Sequence, residues 1–228
     1  MKTLIITPLQ EEFNFLLHGC IRRGFQPEEA VVGKLPVVQL PELAITLALG
    51  GLGKAQFAVQ SQHLLDVDTD WDLVICTGAG GALVDHLSVG DVVVATETVE
   101  HDIYNNFGSP IVPRFDSAST ALASFKQAAQ AIDTFKVHFA PVASGDEDVV
   151  DSERRNTIRQ LTGAYVVAWE GAGGARACKF SGVPFIEIRG VTDGADGNAA
   201  ASFETNLAHL MDNIAALLIA WANQVRNR

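Results

Sequence analysis

The stretch VPFIEIRGVTDGAD (183–196) joins an apolar run to a turn of glycines and acids. VPFIEIRG (183–190) reads as a buried strand, and Asp193 and Asp196 follow just past it. Upstream, the same punctuation recurs. KTLIIT (2–7) runs into Pro8 and Glu12, and AITLAL (44–49) leads through glycines into KAQFAVQSQHLL (54–65), which keeps a helical step. LVICTG (73–78) ends in glycines and is followed by DVVVATE (91–97). VHFAPVAS (137–144) stops at Gly145 and Asp146 before the helical RRNTIRQL (154–161), and AYVVAW (164–169) turns straight into Glu170. Downstream, Leu207, Leu210, Met211, Ile214, Leu217, Leu218 and Trp221 form one apolar stripe of a closing helix. Strands alternating with helices, with near-continuous Val/Ile runs, predict an α/β fold with a mixed, mostly parallel central sheet and helices on both faces. Such sheets bind ligands at the carboxyl ends of their strands, where these glycines and acids fall.

No linker, repeat or low-complexity tract interrupts the 228 residues, so residues 1–228 read as a single domain. An apolar fraction of 48% with 19% charged residues excludes intrinsic disorder. A net charge of −11 argues against a nucleic-acid partner, whose phosphates need Lys and Arg, and against an anionic membrane surface. The opening MKTLIITPLQEEF has too short an apolar run for a signal peptide or anchor. Cys20, Cys76 and Cys178 form no disulfide framework, and no Cys/His group has metal-ligand spacing. A cytoplasmic protein acting on a small molecule is the expectation, with neither metal nor cofactor.

TGAGGAL (77–83) reads as a glycine-rich turn that lets backbone N–H groups, that of Gly78 among them, approach a ligand. It is a poor dinucleotide fingerprint, because Leu83 stands where a third glycine belongs. GGLGKA (50–55) lacks the hydroxyl of a phosphate loop after Lys54. Glu11 and Glu12 alone could be first-turn acids favoured by the helix dipole, as could Glu170, and Asp193 could cap a turn. Together, Glu12, Glu170 and Asp193 put three carboxylates at three strand ends of one sheet, an arrangement suited to acid and base chemistry.

Several of these stretches together resemble the nucleoside phosphorylase/nucleosidase superfamily, and most closely its 5′-methylthioadenosine/S-adenosylhomocysteine nucleosidase branch. The likeness is carried by SGDEDV (144–149), VVAWEGAGGARAC (166–178), residues 183–196, TPLQEEF (7–13), LGGLGKA (49–55), residues 75–97 and SFETNL (202–207). It implies a three-layer fold and hydrolysis of a purine nucleoside or thionucleoside by a cofactor-free homodimer or larger homo-oligomer. It also implies roles. Asp193 would protonate the departing purine, Glu12 would activate water and Glu170 would grip the ribose hydroxyls. Arg189 would steady those carboxylates, Phe203 would lie near base and 5′ substituent, and Phe107 would reach the neighbouring subunit's 5′ pocket. The chain departs from that branch in the base wall. Asp148, beside Val149, replaces an aromatic, and Trp169 replaces a Met. Asp148 could then read a base N–H while Trp169 supplies the stacking face. Phosphorolysis and catalytically silent nucleoside binding are the alternatives. The early segment offers Pro8, Leu9 and Gln10, without the arginine that a phosphate would need.

Overall fold

A computed structural model describes residues 1–105, 107–108 and 111–226. The strands are β1 (Thr3–Thr7), β2 (Glu28–Val32), β3 (Leu35–Leu40), β4 (Ile45–Leu49), β5 (Leu73–Ala82), β6 (Val92–Glu100), β7 (Arg114–Asp116), β8 (Val137–Ser144), β9 (Val166–Ala168) and β10 (Phe185–Asp193). The helices are α1 (Gln10–Arg22), α2 (Lys54–Val67), α3 (Ser119–Ala128), α4 (Ser152–Thr162), α5 (Gly171–Ser181) and α6 (Ala199–Arg226).

The sheet is mixed. β1 lies parallel between β4 and β5, and β5 runs parallel to β10. β8 runs parallel to both β6 and β9. Antiparallel pairings add β3 to β4, β2 to β3 and β7 to β6. They also join β10 to β6 and β9 to β5, so β5, β10, β6, β8 and β9 close into a ring. The antiparallel β2–β3 hairpin and the three-residue β7 left little trace in the sequence. β2 carries one buried residue in five, Val32, and a nearly solvated strand has no apolar run to read.

Helices cover both faces. α1, α3 and α6 close one side around Ile5, Leu47, Ile75 and Ile188. Every member of the predicted α6 stripe is buried there. Trp221 stacks on Phe125 of α3 at 4.8 Å, and its Nε1 donates to Ser124 Oγ at 2.7 Å. Each such side chain contributes about 1.5–3 kcal/mol by leaving water. α2 and α5 close the opposite face over Leu4, Ile6, Val74 and Cys76. α4 is capped by Asp151, whose side chain accepts the Arg154 N–H at 2.8 Å. No helix among the described residues is long and apolar enough to cross a membrane.

The glycine run 78–81 differs from the expected turn. It continues β5 as regular strand. Space, not a special dihedral, demands glycine here. A Cβ on Gly78 would stand 2.6 Å from Glu12 Oε1, one on Gly80 2.4 Å from Val166, and one on Gly81 2.9 Å from Asp193 Oδ1.

Candidate active site

The carboxyl ends of β1, β5, β8, β9 and β10 and the first turns of α6 surround one cavity of about 530 Å³. Glu12, Glu170, Asp193, Arg189, Asp148, Val149, Trp169 and Phe203 all line it. The three carboxylates far apart in sequence are therefore neighbours in one hollow of nucleoside size. Two expected residues are not on its wall. Gly78 lies behind it, as the space into which Glu12 fits, and Ala79, Gly80 and Gly81 supply the wall instead. Phe107 is fully exposed and does not line the cavity of its own chain.

Glu12 sits in the first turn of α1, where Pro8 and the cap residue Leu9 turn the chain off β1. Its Oε2 accepts the Leu9 N–H at 3.0 Å, and its Oε1 accepts the Ala79 N–H at 2.8 Å. Glu11 faces solvent, so the helix period separates the two acids. Glu12 is only 2% exposed. Burial pushes its carboxyl up to about 7; the Arg189 charge and the two backbone N–H groups oppose this without overcoming it.

Glu170 caps α5, and its Oε1 accepts from Gly53 N at 3.3 Å. Arg189 Nη2 donates to Glu170 Oε2 at 3.2 Å. Burial raises the Glu170 carboxyl, against the pull of Arg189. Ser144, at the end of β8, fixes this corner. Its Oγ donates to the Trp169 carbonyl at 2.6 Å and accepts from Ala172 N at 2.9 Å.

Asp193 is the last residue of β10 and is 9% exposed. Its Oδ1 accepts from Ala195 N at 2.8 Å, and Thr192 Oγ1 lies 2.7 Å from its Oδ2. The same hydroxyl lies 3.4 Å from the Gly80 carbonyl. It can donate to the carboxylate, or donate to Gly80 and accept from the protonated acid.

The comparisons with known proteins bear on this constellation. The profile of the phosphorylase superfamily matches residues 2–222. The chain belongs to the phosphorylase superfamily. Within the superfamily, the 5′-methylthioadenosine/S-adenosylhomocysteine nucleosidase of Exiguobacterium is 30% identical over 96% of this chain and 97% of its own length. That of Geobacillus kaustophilus is 30% identical over 100% and 99%. The Neisseria meningitidis nucleosidase, solved with methylthio-immucillin-A, superposes with a TM-score of 0.83 at 30% identity, covering 99% of this chain and 100% of that one.

Reasoning from sequence missed three supporting groups: Thr192, Ser144 and Glu187. Thr192 and Ser144 carry no pattern of their own. Glu187 did leave a signal, an acid between Ile186 and Ile188 in an otherwise apolar strand.

Proposed function

We propose that the chain is an N-ribosyl hydrolase that cleaves the N-glycosidic bond of a purine nucleoside or thionucleoside of the methylthioadenosine/S-adenosylhomocysteine type. The observation that carries this reading is the convergence of Glu12, Glu170 and Asp193 on one cavity. Glu12 takes a proton from water as its oxygen bonds to C1′ of the ribose. The bond from C1′ to the purine breaks, and Asp193 delivers a proton to the leaving base. Positive charge grows on the sugar and negative charge on the base, so carboxylates beside the first and an acid beside the second lower the barrier. Proton transfer of this kind supplies roughly 10²–10⁴-fold. Glu170, steadied by Arg189, holds the ribose hydroxyls. Trp169, Val149 and Phe203 form the wall for base and 5′ substituent, and Asp148 faces the N–H edge of the base.

Water is favoured over phosphate on electrostatic grounds. Of the described residues that line the cavity, Arg189 is the only cation, against Glu12, Glu147, Asp148, Glu170, Asp193 and Glu204. Its donors already engage Glu187, Glu170, Ala79 and Cys76. A dianion would find no bidentate partner there.

Residues 1–228 act as one domain in this reading, in a homodimer or larger homo-oligomer. Support comes from exposed apolar side chains at Leu52 and Val150 on the cavity rim, and at Val59, Phe107 and Phe180 outside it. Phe107 then serves the neighbouring subunit's site. A cytoplasmic location agrees with three buried free cysteines.

The test is incubation of pure protein with methylthioadenosine, S-adenosylhomocysteine, adenosine, inosine and guanosine, with and without phosphate. Free base without phosphate is expected. Strict phosphate dependence would make it a phosphorylase, and tight binding without turnover would make it a silent binder.

A further inference from the structure

Beneath the cavity lies a carboxylate to which the proposed reaction gives no part. Glu187 is completely buried in β10, two residues before Arg189 and therefore on the same face of the strand. Its Oε1 accepts from Arg189 Nε at 2.8 Å, and its Oε2 accepts from Thr98 Oγ1 of β6 at 2.5 Å. The first residue of α5 leaves room for it. A Cβ on Gly171 would stand 2.0 Å from Glu187 Oε2, so the helix can start here only with glycine.

The guanidinium thus serves several acids at once. Nε is taken by Glu187 from β10, while Nη2 reaches Glu170 at the α5 cap and the Cys76 sulfur of β5. Nη1 donates to the Ala79 carbonyl, and the N–H of that same residue holds Glu12 of α1. Three carboxyls and a thiol therefore face one cation, all of them nearly or fully buried side chains. Uncompensated buried charge is costly, so at least one acid keeps its proton. Glu187 and Glu170 each contact the guanidinium, whereas Glu12 has only backbone N–H partners. Glu12 is the group left over.

We propose that Glu187 is a positioning residue for the nucleosidase reaction. By occupying the Nε edge of Arg189 it fixes the guanidinium and takes up part of its charge, which leaves Glu12, the acid with no ion-pair partner, as the one that exchanges its proton in the reaction. This rests on the proposed hydrolysis for its kinetic consequence, but not for its charge arrangement. Burial and the like charge of Glu170, which together hold the Glu12 carboxyl up, point the same way.

The test is the pH profile of kcat/KM for base release by Glu187→Gln. The amide keeps the volume, still accepts from Arg189 Nε, and can donate to Thr98, whose hydroxyl rotates. With one negative charge removed, Glu12 should ionise more readily, and the acid limb should move about one pH unit lower. A packing defect would lower the rate at every pH and leave the limb where it is. Glu187→Asp, which keeps the charge, should keep the wild-type limb even if its rate falls. An active Glu187→Gln with an unmoved limb, or a Glu187→Asp with a moved one, overturns the proposal. Should the amide variant fail to fold, carboxyl-¹³C glutamate spectra of the unaltered protein decide. One buried carboxyl, lost in Glu12→Gln, should titrate near neutrality. Absence of any glutamate titrating above about pH 6 overturns the proposal. These spectra need no substrate, so a wild type that releases no base from any nucleoside sinks the nucleosidase reading alone.

Discussion

Replacing Glu12 by Gln gives a stability difference that changes with pH in a direction the structure fixes. Burial raises the folded carboxyl from 4.5 to about 7. Below about pH 4.5 both folded and unfolded chains carry the proton, and the side chain has no pH-dependent effect. As pH rises from there to about 7, the unfolded chain releases its proton while the folded one retains it. Wild-type stability falls over that window and levels off above it. About 2.5 units at roughly 1.4 kcal/mol per unit amounts to about 3–4 kcal/mol. Gln cannot titrate. It also loses one of the two backbone N–H partners, at Leu9 or Ala79, at a cost of about 1–3 kcal/mol. That cost is independent of pH, so it offsets the curve without bending it. Urea unfolding of both proteins at half-unit steps across the window gives the difference directly. The variant should gain about 3–4 kcal/mol on the wild type between the two ends. A flat difference would mean that Glu12 ionises in the folded protein as it does in the open chain, and the reasoning on its burial would fail.

Three further outcomes are expected. Asp193→Asn should lower kcat for base release by roughly 10²–10⁴-fold while nucleoside affinity, measured by calorimetry, stays within a few-fold; retained turnover would move the proton donor elsewhere. Gly190→Ala should lower stability by about 1–3 kcal/mol in chemical denaturation, because its Cβ would stand 1.8 Å from Leu210 Cδ1 where α6 lies against β10. An unchanged midpoint would contradict that close approach. Asp148 has no hydrogen-bond or ion-pair partner among the described residues, so its carboxylate is free to accept from a base. Asp148→Asn should reduce kcat/KM for inosine and guanosine relative to methylthioadenosine by about tenfold, and equal losses for all three would show that Asp148 does not read the base.

Much of this site was legible because strand ends announce themselves. Apolar runs that stop at glycine or acid gave β1, β5, β8, β9 and β10, and with them Glu12, Glu170 and Asp193. The β2–β3 hairpin was not legible, because β2 opens on two acids and buries only Val32, and Pro36 and Gln39 break the apolar run of β3. The glycines of β5 were legible as a motif but not as to their cause. They suggested backbone offered to a ligand, and the fold uses them as room for Glu12, Val166 and Asp193.

By itself the sequence determined the α/β class, the closing amphipathic helix and the types of residue available for chemistry, since each follows from local period and punctuation. Only the tertiary structure decided how charge is shared. Glu12, Glu170 and Glu187 are spread along most of the chain, and nothing in their spacing reveals that one guanidinium faces all three. Ionisation depends on distance and burial, and those exist only once β10 lies beside β5, with α1 and the start of α5 packed against them.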